Sequence, residues 1–362
     1  MRSSLPWRRF VTHALRRLAY KLSCKPPYQG PIPSDSRPSR APSPDNVATD
    51  TTSPPPPPLF QYGVCVFRNT GLTDDAHVAF SRRLGALDDI RRYLSPQRRL
   101  RYEHVELFDA GNLDEHNRVV AADSPRAHAN RGNTLFHVDS SFNPRRASFS
   151  LLRAVALPPA GSGGDTEFAD SRAAFEGLPA ALARDLAAHD YVGAHSMAHS
   201  RRLGSPAYFA DLEAAAGPPM ARHRLVQRHE PSGRTALYAG AHLHHVEGAA
   251  SAAASAALVA AVNGHVSRAE YVLRVAWERP GDLVVWDNRC VQHRAVPGGS
   301  FEGRFARDLR RTTVHDDSPT AWGENDPGEP MPGFNYHAYP GKKSGGSGAV
   351  APTAAAEGAS GD

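Results

Sequence analysis

Asp282-Leu283-Val284-Val285-Trp286-Asp287-Asn288-Arg289 is the only fully apolar strand core in the C-terminal half of the chain, with Pro280-Gly281 just before it. Four β-branched or bulky apolar residues in succession, between a turn signal and a charged cluster, read as a strand buried on both faces. Outward from it, strand-like runs recur at Tyr62–Phe67, Ala147–Ala156, Arg224–His229, Ala236–Ala239, Tyr271–Trp277 and Arg310–Val314. Helical patterns fall at Thr73–Leu87, capped by Thr73 and striped by Val78, Phe80 and Leu84, and at 171–187, 206–215 and 251–267. These strands do not alternate with helices, and Gly/Pro turns separate them. The expected fold is therefore mainly β with flanking helices, an antiparallel sheet rolled into a barrel or sandwich.

The chain has 362 residues, 40% of them hydrophobic, which suits one or two globular domains. No run of 18 or more uncharged apolar residues occurs, which excludes a membrane-spanning helix and stable membrane insertion. Three dispersed cysteines (Cys24, Cys65, Cys290) make neither a disulfide framework nor a CxxC zinc site and point to a reducing compartment. The net charge of +5 is local: residues 1–58 hold nine Lys/Arg against three acids and thirteen of the 31 prolines. The body is close to neutral and carries no basic stripe interleaved with aromatics, so nucleic acid is not an expected partner. Three segments are expected: a disordered basic, Pro-rich extension over 1–58, a folded domain over 59–340, and a Gly/Ala/Ser-rich tail over 341–362. Within residues 1–40, apolar positions at helical spacing alternate with arginines and no acid precedes Asp35. That is the pattern of a mitochondrial leader; if it is only an incidental basic tail, the cytoplasm is the expected compartment.

Eighteen histidines and 37 acidic residues should generate roughly two H-x-D/E triplets by chance. Four are present: His104-Val-Glu106, His137-Val-Asp139, His245-Val-Glu247 and His315-Asp-Asp317. On a strand, residues i and i+2 face one side and can reach one ion. His137-Val-Asp139 is the triplet that opens a stretch read as extended, His137–Phe142, leading into the strand at Ala147. His293, four residues after Arg289, is the best third ligand. Two histidines and a carboxylate on one face of a metal leave positions open for a chelating co-substrate and oxygen.

The segments His137-Val-Asp139-Ser140-Ser141-Phe142, Gly163-Gly164-Asp165-Thr166-Glu167-Phe168, Gly240-Ala241-His242 with His245-Val246-Glu247-Gly248, and Trp286-Asp287-Asn288-Arg289 with His293-Arg294 stand in this order along residues 60–316. Together they resemble the taurine/2,4-dichlorophenoxyacetate dioxygenase family, most of all its herbicide-degrading branch. The resemblance implies a double-stranded β-helix (jelly-roll) barrel. It also implies Fe(II) held by His137, Asp139 and His293, with 2-oxoglutarate as co-substrate and O2 as oxidant. Asn133, Thr166 and Arg307 fall where the family contacts 2-oxoglutarate, and Arg311 where it holds an acidic substrate. His242 and His245 would line or back the substrate pocket. The implied reaction hydroxylates, and where the product is unstable cleaves, a small anionic organic substrate such as a phenoxyacid or sulfonate, with release of succinate and CO2. A homo-oligomer is compatible with this reading.

The physical chemistry of the residues is consistent with those roles. A buried dicarboxylic acid needs a planar, permanently charged fork of donors, which arginine alone supplies. Positions 307, 309 and 311 share a strand face, so Arg307 and Arg311 can both point inward while Asp308 and Arg310 face out. The rival reading is a metal-binding β-barrel of another class, a zinc hydrolase or a non-catalytic binder of small acids.

Overall fold

The computed structural model describes residues 57–94, 100–212 and 220–328. A short helix α1 (Pro58–Tyr62) ends at Gly63, whose left-handed backbone (φ 76°) turns the chain into β1 (Val64–Phe67). Helix α2 (Asp74–Arg82) begins where Thr73 Oγ1 accepts the Ala76 N–H. Strand β2 (Phe108–Asp109), helix α3 (Pro125–Arg131), the long strand β3 (Ala147–Ala156) and β4 (Thr166–Asp170) follow. The central part of the chain holds α4 (Ser171–Glu176), α5 (Ala180–Ala188), β5 (Val192–His195) and α6 (Met197–Gly204), then β6 (Ala221–Arg224), β7 (Val226–His229), β8 (Arg234–Leu237) and β9 (Leu243–Glu247). Helix α7 (Ala252–Val266) leads to β10 (Val272–Val275), β11 (Leu283–Asp287), β12 (Val291–Ala295) and β13 (Asp308–His315).

All strand pairings are antiparallel. A five-stranded sheet runs β1-β11-β3-β13-β2, a second sheet β10-β4-β12 and a third β6-β5-β9, and β7-β8 is a hairpin. The protein is thus mainly sheet with flanking helices, and no closed barrel is present among the described residues. The Asp282–Arg289 stretch supplies β11, buried at all five positions. Its two faces serve different cores. Val284 and Trp286 pack with Leu152, Phe168, Val275, Val291 and Leu309 between the five-stranded sheet and the β10-β4-β12 sheet. Leu283 and Val285 pack with Phe149, Leu151 and Val314 under α1 and α2.

Several expectations need correction. The segment 137–142 is not an extended strand: it is a run of turns in which only His137 makes a bridge, to His293, and Ser140 has φ 58°. The helix expected over 171–187 is two, divided at Gly177-Leu178-Pro179 because proline cannot continue the first. Residues 206–211 form turns rather than a helix, and 213–219 lie outside the described residues. Asp308 does not face water. It pairs with Arg101 and Arg310 on the opposite face of β13 and accepts the Tyr102 hydroxyl. Residues 1–56 of the basic extension, with the leader within 1–40, and the C-terminal tail lie outside the described residues, while Pro58, expected in the extension, opens α1. Among those described, no helix is long and apolar enough to cross a membrane.

Leu151, fully buried beneath the helices on the side of β3 away from the site, isolates the packing contribution. Leu151→Ala is expected to lower the unfolding free energy by about 2–5 kcal/mol in urea titrations, a cost set by the cavity left behind.

Candidate active site

Strand β12 brings His293 beside His137 by a reciprocal backbone bridge: His137 N–H to His293 O, 3.0 Å, and His293 N–H to His137 O, 2.9 Å. The imidazole centroids lie 4.3 Å apart. Each Nε2 faces Asp139 Oδ1, at 3.9 Å from His137 and 3.8 Å from His293. The three ligating atoms lie within 4.8 Å of one another, and all three residues are buried. His137 Nδ1 donates to the Leu135 carbonyl at 2.8 Å, which fixes the tautomer and leaves Nε2 as a lone pair.

Burial pushes both imidazoles below their ordinary values. Burial alone would push the Asp139 carboxyl up, but Arg311, the two imidazoles and the Ser150 hydroxyl outweigh it and hold it below the usual range. Two neutral imidazoles and one carboxylate are the donor set that a divalent metal takes without first displacing protons, so these residues fit Fe(II). A second buried group, His229, Asp287 and Cys290, is equally compact. That group borders neither of the two cavities at the His137 cluster, and both oxygens of Asp287 are taken there by Arg289, with His229 Nε2 at 3.0 Å from one of them.

Beside the triad lies a cavity of about 130 Å³ bounded by Asn133, Thr166, Arg307, Arg311 and Trp286, with Phe108, Val120, Ala122, Ala127 and Phe301 forming an apolar wall. Arg307 is 7% exposed. Its Nε and one terminal nitrogen donate to the Gly164 carbonyl at 3.0 and 2.9 Å, and its other terminal nitrogen to the Ala110 carbonyl at 3.2 Å. Among the described residues no carboxylate comes within ion-pair distance of it. Burial pushes Arg307 down to about 10, so it remains a cation at neutral pH. The paired glycines meet different neighbours: a Cβ at Gly164 (φ 99°) would sit 3.2 Å from Arg307 Nε, and one at Gly163 (φ 92°) 2.8 Å from the Gly299 Cα. Thr166, at the start of β4, accepts the Trp277 indole N–H at 3.2 Å and keeps its own hydroxyl proton to donate. The Asn133 side-chain oxygen accepts from Arg201 at 2.8 Å, leaving its NH2 for the cavity.

Arg311 lies over Phe108, 4.7 Å from the ring centroid, and one nitrogen contacts Asp139 Oδ1. It borders both this cavity and a smaller one of about 40 Å³ on the Asp139 side, where buried His242 and Arg201 also sit. His242 stands edge-on to His137 with centroids 5.4 Å apart. His245 is not part of either cavity wall: it lies on β9 opposite Ala194, with Nδ1 2.8 Å from His244 Nδ1. Two of the rival triplets are accounted for by ion pairs, since Glu106 is held by Arg82 and Glu247 by Arg222. The sequence reading missed Arg201, Ser150 and Asn288 around the triad. Only Asn288 carried a signal, two residues after Trp286 in a run quoted for other reasons.

An antiparallel β scaffold with a His-Asp-His cluster opening on an arginine-bearing cavity defines the class as a non-haem metal-dependent oxygenase. Comparison with known proteins agrees: residues 59–313 match the "Taurine catabolism dioxygenase TauD, TfdA family", and the chain belongs to it. It is a 2-oxoglutarate-dependent dioxygenase, and Fe(II), 2-oxoglutarate and O2 are the reagents of that chemistry. An alpha-ketoglutarate-dependent 2,4-dichlorophenoxyacetate dioxygenase of Cupriavidus pinatubonensis is 39% identical over 255 residues, 70% of this chain and 85% of that protein. The enzyme of the same name from a Burkholderia species is 38% identical over 254 residues, 70% and 82% of the two chains. The crystal structure of AAD-2 with Mn(II) and N-oxalylglycine superposes with a TM-score of 0.63 at 34% identity, covering 72% of this chain and 87% of that one. A zinc hydrolase or a non-catalytic acid binder is thereby set aside.

Buried neutral histidines make the protein sensitive to acid. Burial holds His77 at about 3 and His223 at about 4 and pushes His195 well down. As pH falls below about 6.5 the unfolded chain takes up protons that these folded residues refuse, so stability present at pH 7 is lost on acidification. Urea titrations at pH 7.5 and 5.5 should show a loss of about 1 kcal/mol per such histidine, before ordinary carboxylates titrate.

Proposed function

We propose that this chain oxidises a small anionic organic molecule, consuming 2-oxoglutarate to succinate and carbon dioxide, on a double-stranded β-helix built from its facing sheets. The observation that carries the reading is Arg307, a buried cation with no carboxylate within ion-pair distance among the described residues, on the wall of the cavity that His137 and His293 border. A guanidinium so placed calls for an anion from outside the protein. Bound Fe(II) would supply the redox chemistry by which dioxygen attacks the co-substrate and then a substrate C–H bond.

The chain's own residues perform the rest. His137, Asp139 and His293 would hold the metal. Arg307 would take the distal carboxylate of 2-oxoglutarate, while the Thr166 hydroxyl and the Asn133 amide donate nearer the metal. Arg311 would bind the acidic group of the substrate, and Phe108, Val120, Ala122, Ala127 and Phe301 would surround its apolar body and exclude water. A carboxylate on an aromatic or aliphatic body fits this division, which favours a phenoxyacid. Relatives named for 2,4-dichlorophenoxyacetate support that choice, and one named for sulfate esters makes a sulfate or sulfonate the competing head group. Where the oxidised carbon bears an ether oxygen, the hydroxylated product collapses, so the outcome is cleavage.

Succinate release measured against phenoxyacids, sulfonates and sulfate esters, with Fe(II) and 2-oxoglutarate present, should be fastest with a phenoxyacid; no substrate-dependent succinate from any of them overturns the reading. Arg307→Ala should raise the KM for 2-oxoglutarate by about two to three kcal/mol equivalent, roughly 30- to 150-fold, because it leaves a buried carboxylate without its donor. Arg311→Ala should preserve substrate-independent decay of 2-oxoglutarate but raise the KM for the acid at least about tenfold, a split that succinate assays with and without phenoxyacid resolve.

A further inference from the structure

We propose that Ser150 and Asn288 are positioning residues that restrict the Asp139 carboxylate to a single metal-binding oxygen. The inference rests on the reading of His137, Asp139 and His293 as metal ligands and adds how one of them is held. Ser150 lies on β3 directly across from Trp286 of β11. Its hydroxyl meets Asp139 Oδ2 at 2.7 Å, and the Asn288 side-chain nitrogen meets the same hydroxyl at 3.0 Å. The Asn288 side-chain oxygen accepts the Trp286 indole N–H at 3.0 Å and the Asp139 backbone N–H at 3.3 Å.

The direction of every bond in this chain is forced. An indole N–H and a backbone N–H can only donate, so the oxygen of the Asn288 amide must face them and its NH2 must face Ser150. Ser150 then receives a hydrogen bond from Asn288 and has one hydrogen left, which goes to Asp139 Oδ2. Ser150, Asn288 and Trp286 are each no more than 1% exposed, and Asp139 is 4% exposed, so water does not compete for these positions. Oδ2 is therefore held on the Ser150 side, while Oδ1, which also meets the Arg311 guanidinium, is the oxygen turned toward both Nε2 atoms. For Oδ2 to ligate as well, the carboxylate would have to rotate Oδ2 toward the imidazoles and pull it off the Ser150 hydroxyl, in a buried site that offers the hydroxyl no water in exchange.

The number of ligands bound gives this arrangement its consequence. In an octahedral site, two imidazoles, one carboxylate oxygen and a chelating 2-oxoglutarate fill five positions and leave one. A carboxylate bound through both oxygens would fill the sixth. Ser150 and Asn288 would thus keep a place open for a diatomic ligand without touching it.

The test uses the full chain with Fe(II) and 2-oxoglutarate under anaerobic conditions, the visible charge-transfer band reporting co-substrate chelation and nitric oxide reporting the open position through its paramagnetic resonance signal. Wild type should show both signals, and Asp139→Ala neither. Ser150→Ala should keep the band but lose most of the nitric oxide signal. Its kcat with 2,4-dichlorophenoxyacetate should fall about 10- to 100-fold, with the KM for 2-oxoglutarate nearly unchanged. Asn288→Leu, which keeps the bulk but can neither donate to Ser150 nor accept from the Asp139 N–H, should reproduce the effect. Folding of each variant is checked by its urea midpoint. Full nitric oxide signals in both folded variants overturn the inference while leaving the metal site intact. A wild type without the band overturns the metal-site reading and this inference together.

Discussion

The pair of backbone hydrogen bonds joining His137 to His293 is the contact on which the site depends. His137 comes from a turn-rich segment and could not be placed by strand geometry of its own; β12 places it, because pairing the two backbones sets the two imidazoles side by side. Once they are fixed, Asp139, two residues on, reaches the same point in space. The left-handed Ser140 then turns the chain away toward β3. Strand β12 is in turn registered against β4, His293 opposite Phe168, so the residue opening β4, Thr166, lies on the same cavity. One sheet thus positions metal-ligand and co-substrate candidates together.

The electrostatics separate structural arginines from the candidate binding ones. Arg146, Arg153 and Arg289 are buried and each is matched by a carboxylate, Asp316, Asp74 and Asp287 respectively. Arg307 is equally buried, yet its hydrogen bonds go to backbone carbonyls, which stabilise a cation without neutralising it. Burial by itself therefore does not single out Arg307; the lack of a carboxylate within ion-pair distance among the described residues does, whereas Arg311, paired with Asp139, is set apart by its place on both cavity walls. Position distinguishes the two compact ligand clusters, since His137, Asp139 and His293 border cavities and His229, Asp287 and Cys290 border neither of these.

Much of this was legible in the sequence, and the limits have physical causes. The strands at Ala147–Ala156 and Asp282–Trp286 were readable because continuous apolar or small-residue runs have few alternative fates in a buried sheet. The triad candidates and Arg307 were legible through the order of motifs that resemble the family, and the structure brings His137, Asp139 and His293 together. The local conformation around His137 was not legible: a single bridge inside turns has no periodicity, and i, i+2 spacing looks the same in a turn as in a strand. Arg201 and Ser150 meet partners on other elements, Asn133 and Asp139, and no local pattern announces such a partner. His245 was drawn in by its neighbours, His242 and His244, whereas the pairing of β9 with β5 takes it away from the cavities.

The apolar wall of the larger cavity is built differently from its floor. Phe108 sits on a two-residue edge strand, Val120, Ala122 and Ala127 follow in the connection toward β3, and Phe301 lies in the loop before β13. The chemical groups stand on or beside paired strands, His293 on β12, Thr166 on β4, Arg311 on β13 and His137 bridged to His293. Exchanges among the wall residues would therefore alter the shape of molecule admitted at little cost to the framework, and selection for new nutrients could retool the roof while the engine below stays untouched.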